Sequence, residues 1–172
     1  MKLFSRIVWR GGRAHRVARK LNPYSKRSFS AMAGAALFAL GASLHAVPAH
    51  AVTLDDALAC NDHAHAYIQS LQDQHLIGDH AMHVEDDGLN VFAPTHEAKL
   101  TAFNLRVFFV LGYQQDDPMF KPGKGEPMGG GLYGVVVNAE TAAVAKAVTA
   151  AGSPAEYKHA GPFLTALYCR AH

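Results

Sequence analysis

Eight of the chain's 11 histidines lie beyond residue 51: His63, His65, His75, His80, His83, His96, His159 and His172. Imidazole and carboxylate are the ligands that Zn, Cu and Ni take. The densest stretch is His75-Leu76-Ile77-Gly78-Asp79-His80-Ala81-Met82-His83, followed by Glu85, Asp86 and Asp87. A turn at Gly78 would let His75, Asp79, His80 and His83 close on one ion, so a metal-binding or metal-delivery role is one reading. The spacing is not His-Glu-x-x-His, and no second distant cluster completes it. His63 and His65 stand about 200° apart on a helix and cannot meet one ion from it. The competing reading is a polar connection with solvated histidines.

Other chemistry has less support. The only serines beyond residue 51 are Ser70 and Ser153, and neither sits in Gly-x-Ser-x-Gly. The carboxylate runs Glu85-Asp86-Asp87 and Asp116-Asp117 precede or flank turn residues, where adjacent acids commonly serve the turn. Glu85 beside His83 is the one acid–base pairing that suggests itself, and nothing in the spacing selects it. The segment Gly123 to Gly131 is rich enough in glycine to cradle an anion. It leads into a strand rather than following one, however, and lacks Gly-Lys-Ser/Thr. An enzyme is therefore the least favoured class.

The two cysteines, Cys60 and Cys169, stand near opposite ends of this region. In an oxidising compartment such a pair becomes a disulfide. Its loop of more than 100 residues is worth roughly 4–5 kcal/mol in the chain-entropy description.

The compartment is read from the leader. Residues Met1 to Phe29 carry Lys2, Arg6, Arg10, Arg13, Arg16, Arg19, Lys20, Lys26 and Arg27 and no acid. An apolar run from Ser30 to Val47 follows, then Ala49-His50-Ala51, the small-residue pattern of a signal-peptide cut after Ala51. The stretch Ser25-Lys26-Arg27-Ser28-Phe29 resembles the twin-arginine export signal, with Lys26 in place of its first arginine. Such export would imply folding before transport. The incomplete pair favours the general secretory route, and both stay open. The apolar run contains Gly34, Gly41, Ser43 and His45, which argues against a retained membrane anchor.

Charge then bounds the partners. The whole chain has a formal net charge of +2. All 14 acids lie beyond residue 51, with only Lys99, Arg106, Lys121, Lys124, Lys146, Lys158 and Arg170 to oppose them, so residues 52–172 carry −7. That charge disfavours nucleic acid and anionic membrane surfaces. Cationic ligands, metals or basic partners are compatible with it.

Elements follow from periodicity. A helix is expected from Thr53 to Gly78, capped by Thr53 and burying Ala57, Cys60, Ala64, Tyr67, Ile68 and Leu71. A short strand is expected over Leu89–Ala93. The apolar run 107–111 reads as a strand buried on both faces. Gln114 to Gly131 reads as a long irregular loop. A strand over Leu132–Val137 precedes a helix capped by Asn138 and ended by Gly152. Pro154 to Pro162 crosses back, and a last strand presents Phe163, Thr165, Leu167 and Cys169 on one face.

The expected architecture is a cleaved signal peptide over residues 1–51, then a single small two-layer α+β domain over residues 52–172. Its order is α-β-β-β-α-β, with helices on one face of a mixed sheet. The leading functional reading is a periplasmic or secreted, non-enzymatic binding domain for an unidentified protein or small ligand. Its contact surface would be the loop residues Met119, Phe120 and Met128. The alternative is a periplasmic protein holding Zn, Cu or Ni on His75, Asp79, His80 and His83. Intact mass of untagged protein from its export compartment is expected to begin at Val52, two hydrogens below the reduced chain. A retained leader overturns the export reading.

Overall fold

The structure is a computed structural model that describes residues 51–171. The expected signal peptide, with its twin-arginine-like stretch, lies outside the described residues apart from Ala51. Along the chain come β1 (Val52–Thr53), a 3-10 turn (Ala57–Ala59), α1 (Ala64–Asp73), β2 (His83–Val84) and β3 (Asn90–Phe92). Then follow β4 (Leu100–Ala102), β5 (Leu105–Gln114), β6 (Gly131–Asn138), α2 (Thr141–Ala151), β7 (Glu156–Gly161) and β8 (Leu164–Ala171). Two α-helices and a mixed eight-stranded sheet make an α+β fold. The strands outnumber those of the expected order, and each addition has a local cause.

The first helix starts later than its pattern suggests. Val52 and Thr53 are β-branched and pair in parallel with β4. Val52 N–H donates to Lys99 O and Leu54 N–H to Thr101 O, each at 2.8 Å. Asp55 does not serve a helix N-terminus; its Oδ1 accepts the N–H of Phe103 at 2.6 Å. Cys60 then takes a left-handed conformation, with φ 60°, and helix begins only at Ala64. From there the expected stripe holds, because Ala64, Tyr67, Ile68 and Leu71 are all buried. The helix ends before Gly78, with His75 left-handed at φ 55°. Leu76 N–H folds back onto Leu71 O at 2.9 Å.

The run 100–113 contains a two-residue hairpin. Phe103 and Asn104 both have positive φ, 50° and 63°, between β4 and β5. Two such residues are the signature of the turn that matches strand twist, although Asn-Gly is the usual pair. The Asp55 carboxylate stabilises this conformation by holding the N–H of Phe103.

Strand β5 is central. It pairs with β6 along one edge, with a bulge at Phe108. On the other edge it pairs with β4 at Thr101↔Arg106 and with β3 at Phe92↔Val110. Strand β6 continues to β8 through eight paired residues, and β8 to β7. Gly134 leaves no room for a Cβ against Leu167 O, so β6 and β8 approach closely at this point. Both helices cover one face of the sheet: Ile68, Leu71, Val144 and Val148 share a core with Tyr133, Val135, Val137, Leu167 and Cys169. Each such aliphatic side chain contributes about 1.5–3 kcal/mol by leaving water.

The second half follows its pattern more closely. Gly152 ends α2 in the left-handed conformation, φ 63°. Glu140, rather than Asn138, takes the N-cap position, because Asn138 is still paired with Leu164 in the sheet. Thr165, Leu167 and Cys169 point inward as their alternation requires. Phe163 does not; it sits in the β7–β8 turn at φ 57° and is 67% exposed. The expected crossing segment 154–162 contains β7, an edge strand whose exposed side chains give no apolar alternation. Cys60 and Cys169 form the expected disulfide, with Cα atoms 5.2 Å apart and a sequence separation of 109.

One core group lacks a partner. The hydroxyl of Tyr67 is buried with no hydrogen bond. Its ring lies 5.0 Å from that of Tyr133, whose hydroxyl accepts the N–H of Asp62 at 3.0 Å. Burial pushes both phenols above their ordinary range, and a Tyr133 phenolate would push Tyr67 further. A raised folded-state value means stability is fully present below the unfolded value and is lost as pH rises through the alkaline range. Tyr67→Phe removes an unsatisfied donor and is expected to raise stability by about 1 kcal/mol. It should also flatten the loss of stability above pH of about 10, both read from urea titrations at several pH values.

Candidate functional site

The long loop after β5 is held on every side. Asn90, 1% exposed, donates through Nδ2 to Gly88 O at 2.8 Å and to Lys121 O at 2.9 Å. Its Oδ1 accepts the N–H of Lys121 at 3.1 Å. Gly125 N–H donates to Asp86 O at 2.8 Å, and Met128 N–H to Asp87 O at 3.1 Å. Gly123 lies so close to the carbonyls of Glu85 and Asp86 that no Cβ fits. The acidic run 85–87 therefore offers its backbone to this loop. The glycines permit close packing rather than movement.

This corrects the expected contact surface. Phe120 is buried in the core, and its ring and Ile68 close over Gly112. Met119 is half-buried against the same core, and Met128 is half-buried. Met119, Phe120 and Met128 thus form no exposed apolar patch, because burial draws the aromatic ring inward.

The histidine segment is not gathered either. His75, Asp79 and His80 are exposed on the turns after α1. Asp79 offers its carbonyl to Gln72 Nε2 at 3.0 Å, and His75 offers its own to Thr95 Oγ1 at 2.9 Å. Ile77 is buried and bridges to Pro94, while His83 departs into β2, with Nε2 3.4 Å from Glu85 Oε1. Among the described residues no three of His, Cys, Asp and Glu stand where they hold one ion.

One polar cluster escaped the sequence. His65 Nδ1 lies 2.7 Å from Asp117 Oδ2, and Gln114 Nε2 donates to the same oxygen at 3.3 Å. Asp117 Oδ1 accepts the N–H of Met119 at 2.9 Å. These partners are 52 residues apart, beyond any spacing rule. Asp117 and Gln114, but not His65, line a cleft of about 390 Å³ beside Tyr113, Gln115 and Lys121. The pair ties the loop to the first turn of α1. Elsewhere in the described residues, Ser153 Oγ donates to Leu58 O at 2.6 Å and both cysteines are bridged.

The larger concavity arises from the sheet itself. Strands β3 and β4 occupy the same edge of β5, in line, like two halves of one strand. Between their last pairings β5 advances from Arg106 to Val110, while the other side advances from Phe92 to Thr101. The surplus residues leave the sheet as an excursion over 93–99. It is braced by the Ile77–Pro94 bridge and by Thr95 N–H donating to Leu76 O at 3.0 Å. A groove of about 640 Å³ opens where it departs. Ala93, Pro94, Ala98, Leu100 and Phe108 give it apolar walls, and His96, Lys99 and Arg106 stand on its rim. No acid lines it, and neither Lys99 nor Arg106 has a carboxylate partner among the described residues. The Arg106 guanidinium lies 5.4 Å over the Phe108 ring.

Asn90→Ala is expected to cost about 2–3 kcal/mol by orphaning the backbone of Lys121 and Gly88. Amide exchange should quicken at Lys121 and Gly125 while Thr95 and Ala98, whose N–H groups donate to Leu76 O and Thr95 O, stay protected; equal loosening of both overturns the assignment of Asn90 to the loop alone. Compared with protein-family models, with curated proteins and with solved structures, the chain matches none.

Proposed function

We propose that this chain is an exported, disulfide-stapled domain that binds without catalysing, and that its ligand sits in the groove where β3 and β4 interrupt the edge of β5. The observation that carries the reading is the open groove itself, where apolar walls meet Lys99 and Arg106, two cations with no carboxylate partner among the described residues. Sites of this size and apolar character, with a few placed polar groups, are those that hold small molecules. The disulfide is compatible with an oxidising compartment. Among the described residues no helix is long and apolar enough to cross a membrane.

The groove is closed at both ends by paired strands, so an added peptide strand has no edge along which to continue. A compact ligand fits this geometry better than a protein partner. Lys99 and Arg106 supply orientation, and the walls supply contact area.

Native mass spectrometry of untagged protein from its export compartment tests the reading. The expected result is a small-molecule adduct that leaves on denaturation and is absent from Ala98→Trp, a variant that fills the groove. Circular dichroism of that variant confirms its fold. A co-purifying protein in place of the small adduct, or an adduct that survives Ala98→Trp in the folded variant, overturns it.

A further inference from the structure

We infer that the groove binds a compact organic carboxylate with an apolar body, and that the α-ammonium left at Val52 by export processing completes its cationic rim. This rests on the binding reading above and on the cut after Ala51.

Charge is the first argument. All 14 acids of the chain lie beyond residue 51, yet none lines this groove, while Lys99 and Arg106 both do. Two unpaired cations on one rim repel each other, and an anion between them relieves that repulsion. Arg106 is also positioned at the groove: its guanidinium carbon lies over the Phe108 ring, 5.4 Å from the centroid, and carries a planar fork of N–H donors. That planar fork matches a carboxylate.

Size is the second. From Arg106 to Val110 the open stretch of β5 spans four residue steps, roughly 13 Å. Paired strands close both ends. A long acyl chain lying along the strand exceeds this length. A bare inorganic anion leaves Pro94, Ala98 and Phe108 without contact. A short aryl or branched alkyl acid satisfies both rim and walls.

The chain's own processing supplies the third. Ala51 lines the groove, and the nitrogen of Val52 already donates to Lys99 O at 2.8 Å. Cutting the Ala51–Val52 bond removes a wall residue. It also turns that nitrogen from an amide with one donor into an ammonium with three. One keeps the bond to Lys99 O, and the others face the space that Ala51 vacates. The groove of the processed chain is thus wider and more positive than that of the precursor.

Amide-shift titration of the chain beginning at Val52 tests this, with phenylbutyrate as probe and phenylbutanol as its uncharged counterpart. Phenylbutyrate is expected to shift Lys99, Thr101 and Phe108 and to bind roughly tenfold tighter than the alcohol, the worth of one charge-assisted hydrogen bond. Arg106→Gln should lose about the same factor. A chain retaining acetylated Ala51 should bind the acid several-fold more weakly. Equal affinity for acid and alcohol overturns the carboxylate assignment and leaves the binding reading standing. Silence from both probes in the folded domain overturns the binding reading as well. Equal affinity of the Val52 and acetylated Ala51 chains overturns the part given to the ammonium.

Discussion

Ten residues of β5 must find backbone partners on two edges, and the two edges meet that demand differently. Strand β6 follows one edge from Val107 to Gln114, yielding only at the Phe108 bulge. The opposite edge is shared by two three-residue strands, β3 and β4, that cannot join without leaving the sheet. Unpaired backbone is costly away from water, so the departing residues must recover their hydrogen bonds elsewhere. They do so against the segment after α1, through Ile77, Leu76 and His75. The groove and the position of Lys99 both descend from that one shortfall in pairing.

The disulfide and the N-terminal strand act on the same frame from its far side. Cys60 turns left-handed to reach β8, which ends the 3-10 turn and delays α1. Val52 to Leu54 is fixed to β4, and Asp55 to the turn beyond it. Residues 52–60 thus link β4 near one margin of the sheet to β8, inside the other, before the first helix begins. The apolar stripe from Ala57 to Leu71 favours a helix start at Thr53, and tertiary hydrogen bonds outweigh it.

What the sequence disclosed was local. The stripe Ala64, Tyr67, Ile68 and Leu71, the stop at Gly152 and the inward run Thr165, Leu167 and Cys169 each depend on neighbours within a few positions. The disulfide followed from compartment and count. What it concealed was relational. Phe103–Asn104 lacks the usual glycine because Asp55 supports the turn from 48 residues away. Phe120 read as a surface anchor because proline and glycine surround it, whereas Gly112 makes space for its ring. The site was hidden most completely, since a groove formed by a register mismatch between Phe92–Thr101 and Arg106–Val110 leaves no motif behind. The His75–His83 cluster was conspicuous in composition and is dispersed in space.

The sheet's outer boundary has its own consequence. A free strand edge invites other chains to add to it, and the outer strands of this sheet are β1, β2 and β7. Strands β1 and β2 are each two residues long and too short to serve as templates. Strand β7 exposes Glu156 and His159, and a bulge after His159 disturbs its register. Pro162 follows directly and donates no hydrogen bond. A domain built this way resists growth into fibrils at high concentration, a useful property wherever no energy-driven chaperone is at hand to reverse it.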